Sequence, residues 1–148
     1  GVRIRIIGRR DNLGEDLRDI IERAEARTKD NDRFHLTIAF NYGGRDEIVR
    51  AAQRIARDAR DGTLDPDGLD EAGFAAALDT RDLPDVDLLV RTSGEERISN
   101  FMLWQLAYAE LVFLDVLWPD FSPEQFSDAI ETYKQRSRRY GGLDAGAA

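Results

Sequence analysis

The feature that most constrains this chain is a hydrophobic period that switches repeatedly between two and 3.6 residues. Val2 to Ile7 alternates and stops at Gly8, as a strand does. Leu17, Ile20, Ile21 and Ala24 then recur at helical spacing, which predicts a helix over about 13–27. Phe34, Leu36, Ile38 and Phe40 alternate again and end at Asn41-Tyr42-Gly43-Gly44. A second helix follows, with Ile48, Ala52, Ile55, Ala56 and Ala59 expected on its buried face. A sequence that alternates in this way folds as α/β, with a mainly parallel sheet flanked by helices.

The second half continues the pattern. Leu69 to Leu78 reads as a short Ala-rich helix. Leu88-Leu89-Val90 is a short apolar run of the kind buried on both faces of a parallel sheet. Ser99 to Glu110 is expected to be helical, and Leu111 to Val116 a strand. Ser122-Pro123-Glu124-Gln125 has the form of a capping box with proline at the first helical position, opening a helix that buries Phe126, Ile130 and Tyr133. Trp104, Trp118, Phe101, Phe113 and Phe121 are expected in the core, and Gly141 to Ala148 as a mobile tail.

With 148 residues, no internal repeat and no dividing linker, the reading is a single domain, 1–148. A net charge of -8 argues against nucleic acid as a partner, because non-specific affinity comes from neutralising phosphates. An anionic ligand has to be met by local positive charge against the global field. No apolar run approaches a membrane span, no signal peptide is visible, and there is no cysteine. These features fit a cytoplasmic protein. The chain opens on Gly1 and passes at once into a strand, which raises the expectation that a first part is missing.

The informative stretch is Asp87 to Phe121. Arg91 ends a predicted strand, Thr92-Ser93-Gly94 makes a turn with hydroxyl and backbone donors, and Arg97 and Ser99 follow. Ligands of open α/β sheets gather beyond the carboxyl ends of strands. Two guanidinium groups and a hydroxyl there can hold a phosphate or diphosphate, each charge-assisted bond contributing roughly 1.5–3 kcal/mol. Spacing alone leaves a second reading open, in which Arg91 and Arg97 form surface ion pairs with Glu95, Glu96 or nearby aspartates. Glu110 is a hard oxygen donor suited to Mg2+, although a solvated helix-end glutamate is the plainer reading. Asn41 to Arg45 lacks the residues of a P-loop and reads as a strand-to-helix turn, and His35, the one histidine, as a strand residue.

Four blocks stand in order: Pro84 to Glu95, Arg97 to Gln105, Ala107 to Glu110 and Trp118 to Phe121. Together with Asn41-Tyr42-Gly43-Gly44-Arg45 and Glu47-Ile48-Val49, they resemble the C-terminal part of cis-prenyltransferases of the undecaprenyl diphosphate synthase family. The resemblance implies a partial fold of that type and an enzyme that joins isopentenyl diphosphate to an allylic diphosphate such as farnesyl diphosphate. It implies that Arg91, Arg97, Ser99 and the Ile98 backbone bind isopentenyl diphosphate and that Glu110 binds Mg2+. It further implies a homodimer built on the Phe101–Phe121 region, a polyprenyl product, and peripheral membrane contact through that lipid. Glu96 stands where some members carry histidine, and no role is carried over to it.

The family's Asp-Gly-Asn-x-Arg-Trp loop does not occur in these residues, because Asp61-Gly62 runs on to Thr63 and Asp67-Gly68 to Leu69. No catalytic residue is therefore assigned, and the chain by itself is expected to be inactive. The competing readings are a non-catalytic partner subunit of a heteromeric cis-prenyltransferase and an unrelated α/β diphosphate-binding module.

Overall fold

The structure is a computed structural model that describes residues 1–136; the expected C-terminal tail lies outside the described residues. Its contacts group into two compact units, Gly1–Leu83 and a second that starts at Pro84. The strands are parallel and flanked by helices, as the periodicity predicts.

In the first unit, β1 (Val2–Ile7) pairs in parallel with β2 (Phe34–Ala39), Val2 opposite Phe34 and Ile7 opposite Ala39. Helix α1 (Glu15–Thr28) makes the connection and buries Ile21. Leu17 and Ile20 of the same predicted stripe are exposed. The edge of β1 away from β2 does not stay open. Thr28 Oγ1 accepts from the Ile4 N–H at 3.1 Å, Glu25 Oε1 from Ile6 at 2.8 Å and Asp79 Oδ2 from Gly8 at 3.2 Å. Asn31 and Arg10 donate to the Val2 and Ile6 carbonyls, each at 2.7 Å. Side chains thus occupy ladder positions that another strand would otherwise take. Gly8 closes the strand with φ +113°, and a Cβ there would lie 2.2 Å from the Phe40 carbonyl oxygen, so only glycine fits.

Helix α2 (Gly44–Arg60) presents a buried face one residue removed from the expected one. Gly44, Glu47 and Ala51 are buried, whereas Ala52 and Ala56 are exposed. The reason is chemical. Glu47 is 1% exposed because its carboxylate accepts from the Tyr42 hydroxyl at 2.5 Å and from the Asp79 N–H at 2.8 Å. A buried charge is tolerated when it is bonded in this way. Hydropathy counts it as polar and so turns the helix to the wrong face.

Helix α3 (Glu71–Ala75) is shorter than the predicted 69–78. Asp70 caps it by accepting from the Gly73 N–H at 2.8 Å. The chain then tightens to i→i−3 bonds, Ala77 to Phe74 and Leu78 to Ala75, both at 3.0 Å. That tightening carries Ala77 and Leu78 into the core of this unit beside Ile7, Ile21 and Ala51.

In the second unit, β3 (Leu88–Arg91) pairs in parallel with β4 (Glu110–Phe113), Leu88 opposite Glu110. The β3 residues are half-buried rather than covered on both faces. The predicted helix over Ser99–Glu110 is absent: the segment is a series of turns. Ser99, Asn100 and Met102 have positive φ, of 46°, 65° and 46°, which breaks any α-helical run. Glu110 is consequently the first residue of a strand, its N–H donated to the Asp87 carbonyl at 3.0 Å. Helix α4 (Pro123–Gln135) opens on the predicted capping box: Ser122 Oγ accepts from the Gln125 N–H at 3.3 Å and Gln125 Oε1 from the Ser122 N–H at 2.9 Å. It buries Ala129, while Phe126 stays 50% exposed. The aromatic residues are not a closed core either, since Trp118 is 71% exposed and Phe101 is also exposed.

Acid should weaken the first unit, and the sign follows from its carboxylates. Burial raises the Asp79 carboxyl, but the Arg50 hydrogen bonds and charge and the Gly8 N–H outweigh it and hold it below the usual range. Burial likewise raises Glu25, and Arg10 and the Ile6 N–H outweigh that. Depressed folded values mean stability that is present above about pH 4 and lost as the pH falls through them. Thermal melts followed by circular dichroism should drop steeply below about pH 4, and Asp79→Asn should flatten that slope. Identical slopes in the two proteins would disprove the assignment.

Candidate diphosphate site

The ladder between β3 and β4 continues past the strands and builds a fixed turn. The Leu114 N–H donates to the Arg91 carbonyl at 2.8 Å, Ser93 to Val116 at 2.7 Å and Gly94 to Leu114 at 2.9 Å. Ser93 and Gly94 take positive φ of 75° and 65° to make these bonds. Their N–H groups, expected to be free donors for a ligand, are therefore already engaged. Side chains supply the available donors.

Arg91 is the last residue of β3, at its carboxyl end. Its Nη1 donates to Ser99 Oγ at 3.1 Å and to the Arg97 carbonyl. Its Nη2 lies 3.9 Å from Glu95 Oε2, and the same oxygen forms an ion pair with Arg97. The structure therefore brings Arg91, Arg97 and Ser99 together, with Glu95 between the two guanidinium groups. The ion pairing with Glu95 that spacing alone left open is formed, and it is formed by the same arginines that the site reading brings together. Ile98 lies in the same loop, its carbonyl accepting from the Phe101 N–H at 2.9 Å.

Glu110 lies at the other end of the β3–β4 register, opposite Leu88 rather than Arg91. Its Oε2 accepts from Arg136 at 3.0 Å, and Arg136 also donates to the Leu111 carbonyl at 2.8 Å. Sequence reasoning did not find Arg136. It stands beyond the end of a helix, and no periodicity links it to a residue 26 positions earlier. Among the described residues, no grouping of three or more His, Cys, Asp or Glu side chains could enclose a metal ion. Glu110 supplies a single hard donor, which suits Mg2+ only as one ligand among substrate oxygens and water.

A cleft of about 590 Å³ runs along β1, α1 and Asp79–Asp82. Its lining carries paired charges, Arg10 with Glu25 at 2.7 Å and Arg5 with Asp82 at 3.2 Å, and none of the predicted site residues. His35 is exposed on β2, a strand residue as expected.

The parallel strands flanked by helices define an α/β protein, with an arginine pair gathered beyond the end of β3. The comparisons narrow it. Residues 1–141 match the family described as "Putative undecaprenyl diphosphate synthase". The chain belongs to that family. It is 54% identical over 145 residues to the isoprenyl transferase of Caulobacter vibrioides, covering 98% of this chain and 56% of the relative. It is 49% identical over all 148 residues to isoprenyl transferase 2 of Bradyrhizobium diazoefficiens, covering 59% of that protein. The chain thus spans rather more than half the length of these curated relatives. Lavandulyl diphosphate synthase from Lavandula x intermedia, solved in complex with dimethylallyl diphosphate, superposes with a TM-score of 0.90 at 40% identity. That match covers 95% of this chain and 60% of the synthase.

The Arg91–Ser99 bond can be measured. Arg91→Ala and Ser99→Ala, alone and together, form a double-mutant cycle read by denaturant unfolding. A coupling of about 0.5–1.5 kcal/mol is expected for a bond of this kind. Strictly additive effects would show that the contact contributes nothing in solution.

Proposed function

We propose that this chain is the part of a cis-prenyltransferase that binds isopentenyl diphosphate. The complete enzyme condenses that substrate with an allylic diphosphate such as farnesyl diphosphate, and the product is a polyprenyl diphosphate of the undecaprenyl type. The observation that carries the reading is the convergence of Arg91, Arg97 and Ser99 beyond the carboxyl end of β3. Guanidinium groups match diphosphate oxygens in charge and geometry, and Arg91, the less exposed of the two, is held by its own bonds before any ligand arrives. The Ile98 backbone borders the same anion. Holding the diphosphate at fixed points aligns the rest of the small substrate for attack on the allylic carbon.

Glu110 is the residue of this chain that would hold Mg2+, alongside substrate oxygens. When bound, the ion offsets the negative charge that develops as the allylic diphosphate departs. Within these 148 residues there is no Asp-Gly-Asn-x-Arg-Trp loop to grip that leaving group. The chain alone should therefore give no long-chain lipid when supplied with labelled isopentenyl diphosphate, farnesyl diphosphate and Mg2+. In a complete enzyme, Arg97→Ala should raise the KM for isopentenyl diphosphate by roughly 10- to 100-fold, the size of one lost charge-assisted bond. Turnover by the isolated chain would show the machinery to be misplaced, and an unchanged KM would remove Arg97 from the site.

The working form is a homodimer, and we place its contact on the second unit. Phe101, Tyr108, Leu117, Trp118 and Phe126 are exposed there, Tyr108 by 70%. Trp118 stacks on Phe121 with centroids 5.8 Å apart, and Phe121 meets Phe126 edge-on at 6.3 Å. Exposed aromatics at this density favour burial against a second copy, which would be isologous. Sedimentation equilibrium should give a dimer that Trp118→Asp weakens at least tenfold. A strict monomer at high concentration, or a dimer indifferent to Trp118→Asp, would rule this surface out.

A further inference from the structure

The proposed diphosphate site already contains an anion, and that anion belongs to the chain. Glu95 Oε2 lies 3.9 Å from Arg91 Nη2 and is ion-paired to Arg97. The oxygen is shielded from solvent, although the Glu95 side chain as a whole is partly exposed. Its backbone is anchored: the preceding Gly94 is tied to Leu114 at 2.9 Å and Ser93 to Val116 at 2.7 Å. A Cβ on Gly94 would meet Asp115 Oδ1 at 3.3 Å, and the φ there is +65°, so the turn that presents Glu95 is closely specified.

A carboxylate and a phosphate oxygen make the same demands on a guanidinium group, and arginine pairs both in a planar fork. Two cations left facing each other would repel; one carboxylate between them removes that repulsion. We propose that Glu95 is a built-in anion mimic: it occupies the diphosphate position in the free protein and is displaced when a diphosphate binds. This rests on the reading of Arg91, Arg97 and Ser99 as the diphosphate site and goes beyond it by naming what the ligand must expel.

The displacement also confers selectivity. A monoanion offers the arginines no more charge than Glu95 does and arrives without the advantage of being tethered. A diphosphate brings several oxygens and more than one charge, so it can exchange for the carboxylate and gain. Glu95 thereby sets a threshold that separates diphosphates from the abundant monoanions, at the expense of absolute affinity. It also keeps Arg91 and Arg97 ordered toward one point before the ligand arrives.

The test uses this chain and inorganic pyrophosphate at low ionic strength, with calorimetry for affinity and backbone amide shifts to locate binding. Glu95→Gln keeps the shape and removes the charge; Glu95→Ala removes both, and melting curves establish that each variant is folded. Both variants should bind pyrophosphate roughly five- to tenfold more tightly than the unmodified chain, the effect of removing one nearby like charge at a surface. Both should also gain measurable binding of acetate, a monoanion, and Arg97→Ala in the Glu95→Gln background should abolish the gain. Equal or weaker affinity in the variants, with shifts still centred on residues 91–99, overturns the mimic and leaves the site standing. No shift at 91–99 in any of the proteins overturns the site and the mimic together.

Discussion

The first unit depends on one carboxylate. Asp79 accepts from Arg50 through both oxygens, at 2.9 and 2.7 Å, and from the Gly8 N–H at 3.2 Å, while its own N–H reaches Glu47. These bonds tie the end of β1, the first turns of α2 and the segment after α3 to a single point. Arg50 also donates to Asp46 at 2.8 Å, and Asp46 accepts from Arg9 at 3.0 Å, so the network extends to the loop beyond β1. Those bonds and charges raise Arg50 well above its ordinary value despite burial. A half-buried network of this kind is costly to break because each member left behind has lost water as well as its partner. The network lies at the carboxyl end of β1, beside the loop in which Asn41 takes φ 50° and donates to the Arg9 carbonyl at 3.0 Å.

The second unit is held together differently. Its strands are short, and among its described residues the buried apolar ones are few: Leu106, Val112 and Ala129. What compensates is backbone. The β3–β4 ladder runs on through Leu114 and Val116, so a turn with two left-handed residues is anchored as firmly as a strand. Each N–H spent on that ladder is withdrawn from ligand binding. In the proposed site, recognition then falls to the side chains of Arg91, Arg97 and Ser99.

Legibility in the sequence divided along physical lines. Strands and long helices were readable because burial imposes a period, and the Ser122 box because its chemistry is local. Hydropathy misplaced the buried face of α2 because Glu47 is buried through bonds from Tyr42 and Asp79, partners 5 and 32 residues away. It read a helix over Ser99–Glu110 because that stretch has helical composition; the positive φ values of Ser99, Asn100 and Met102 come from its loop geometry, not from glycines. The convergence of Arg91, Arg97 and Ser99 was legible because all three lie within one strand-turn unit. The Arg136–Glu110 contact was not, since it joins a helix end to a strand start and only tertiary structure creates it.

Charge gives the reason for setting a glutamate between two arginines in the proposed site. The chain carries a net charge of -8, so a diphosphate bound as proposed would approach against the overall field. Arginines must supply local attraction, and their guanidinium groups must be close together to act on one ligand. Closeness without a ligand leaves like charges opposed, at a surface where water screens only part of the repulsion. An acidic residue from the same turn resolves that conflict while adding to the global negative charge. In the proposed site, the Arg91–Glu95–Arg97 arrangement meets both demands.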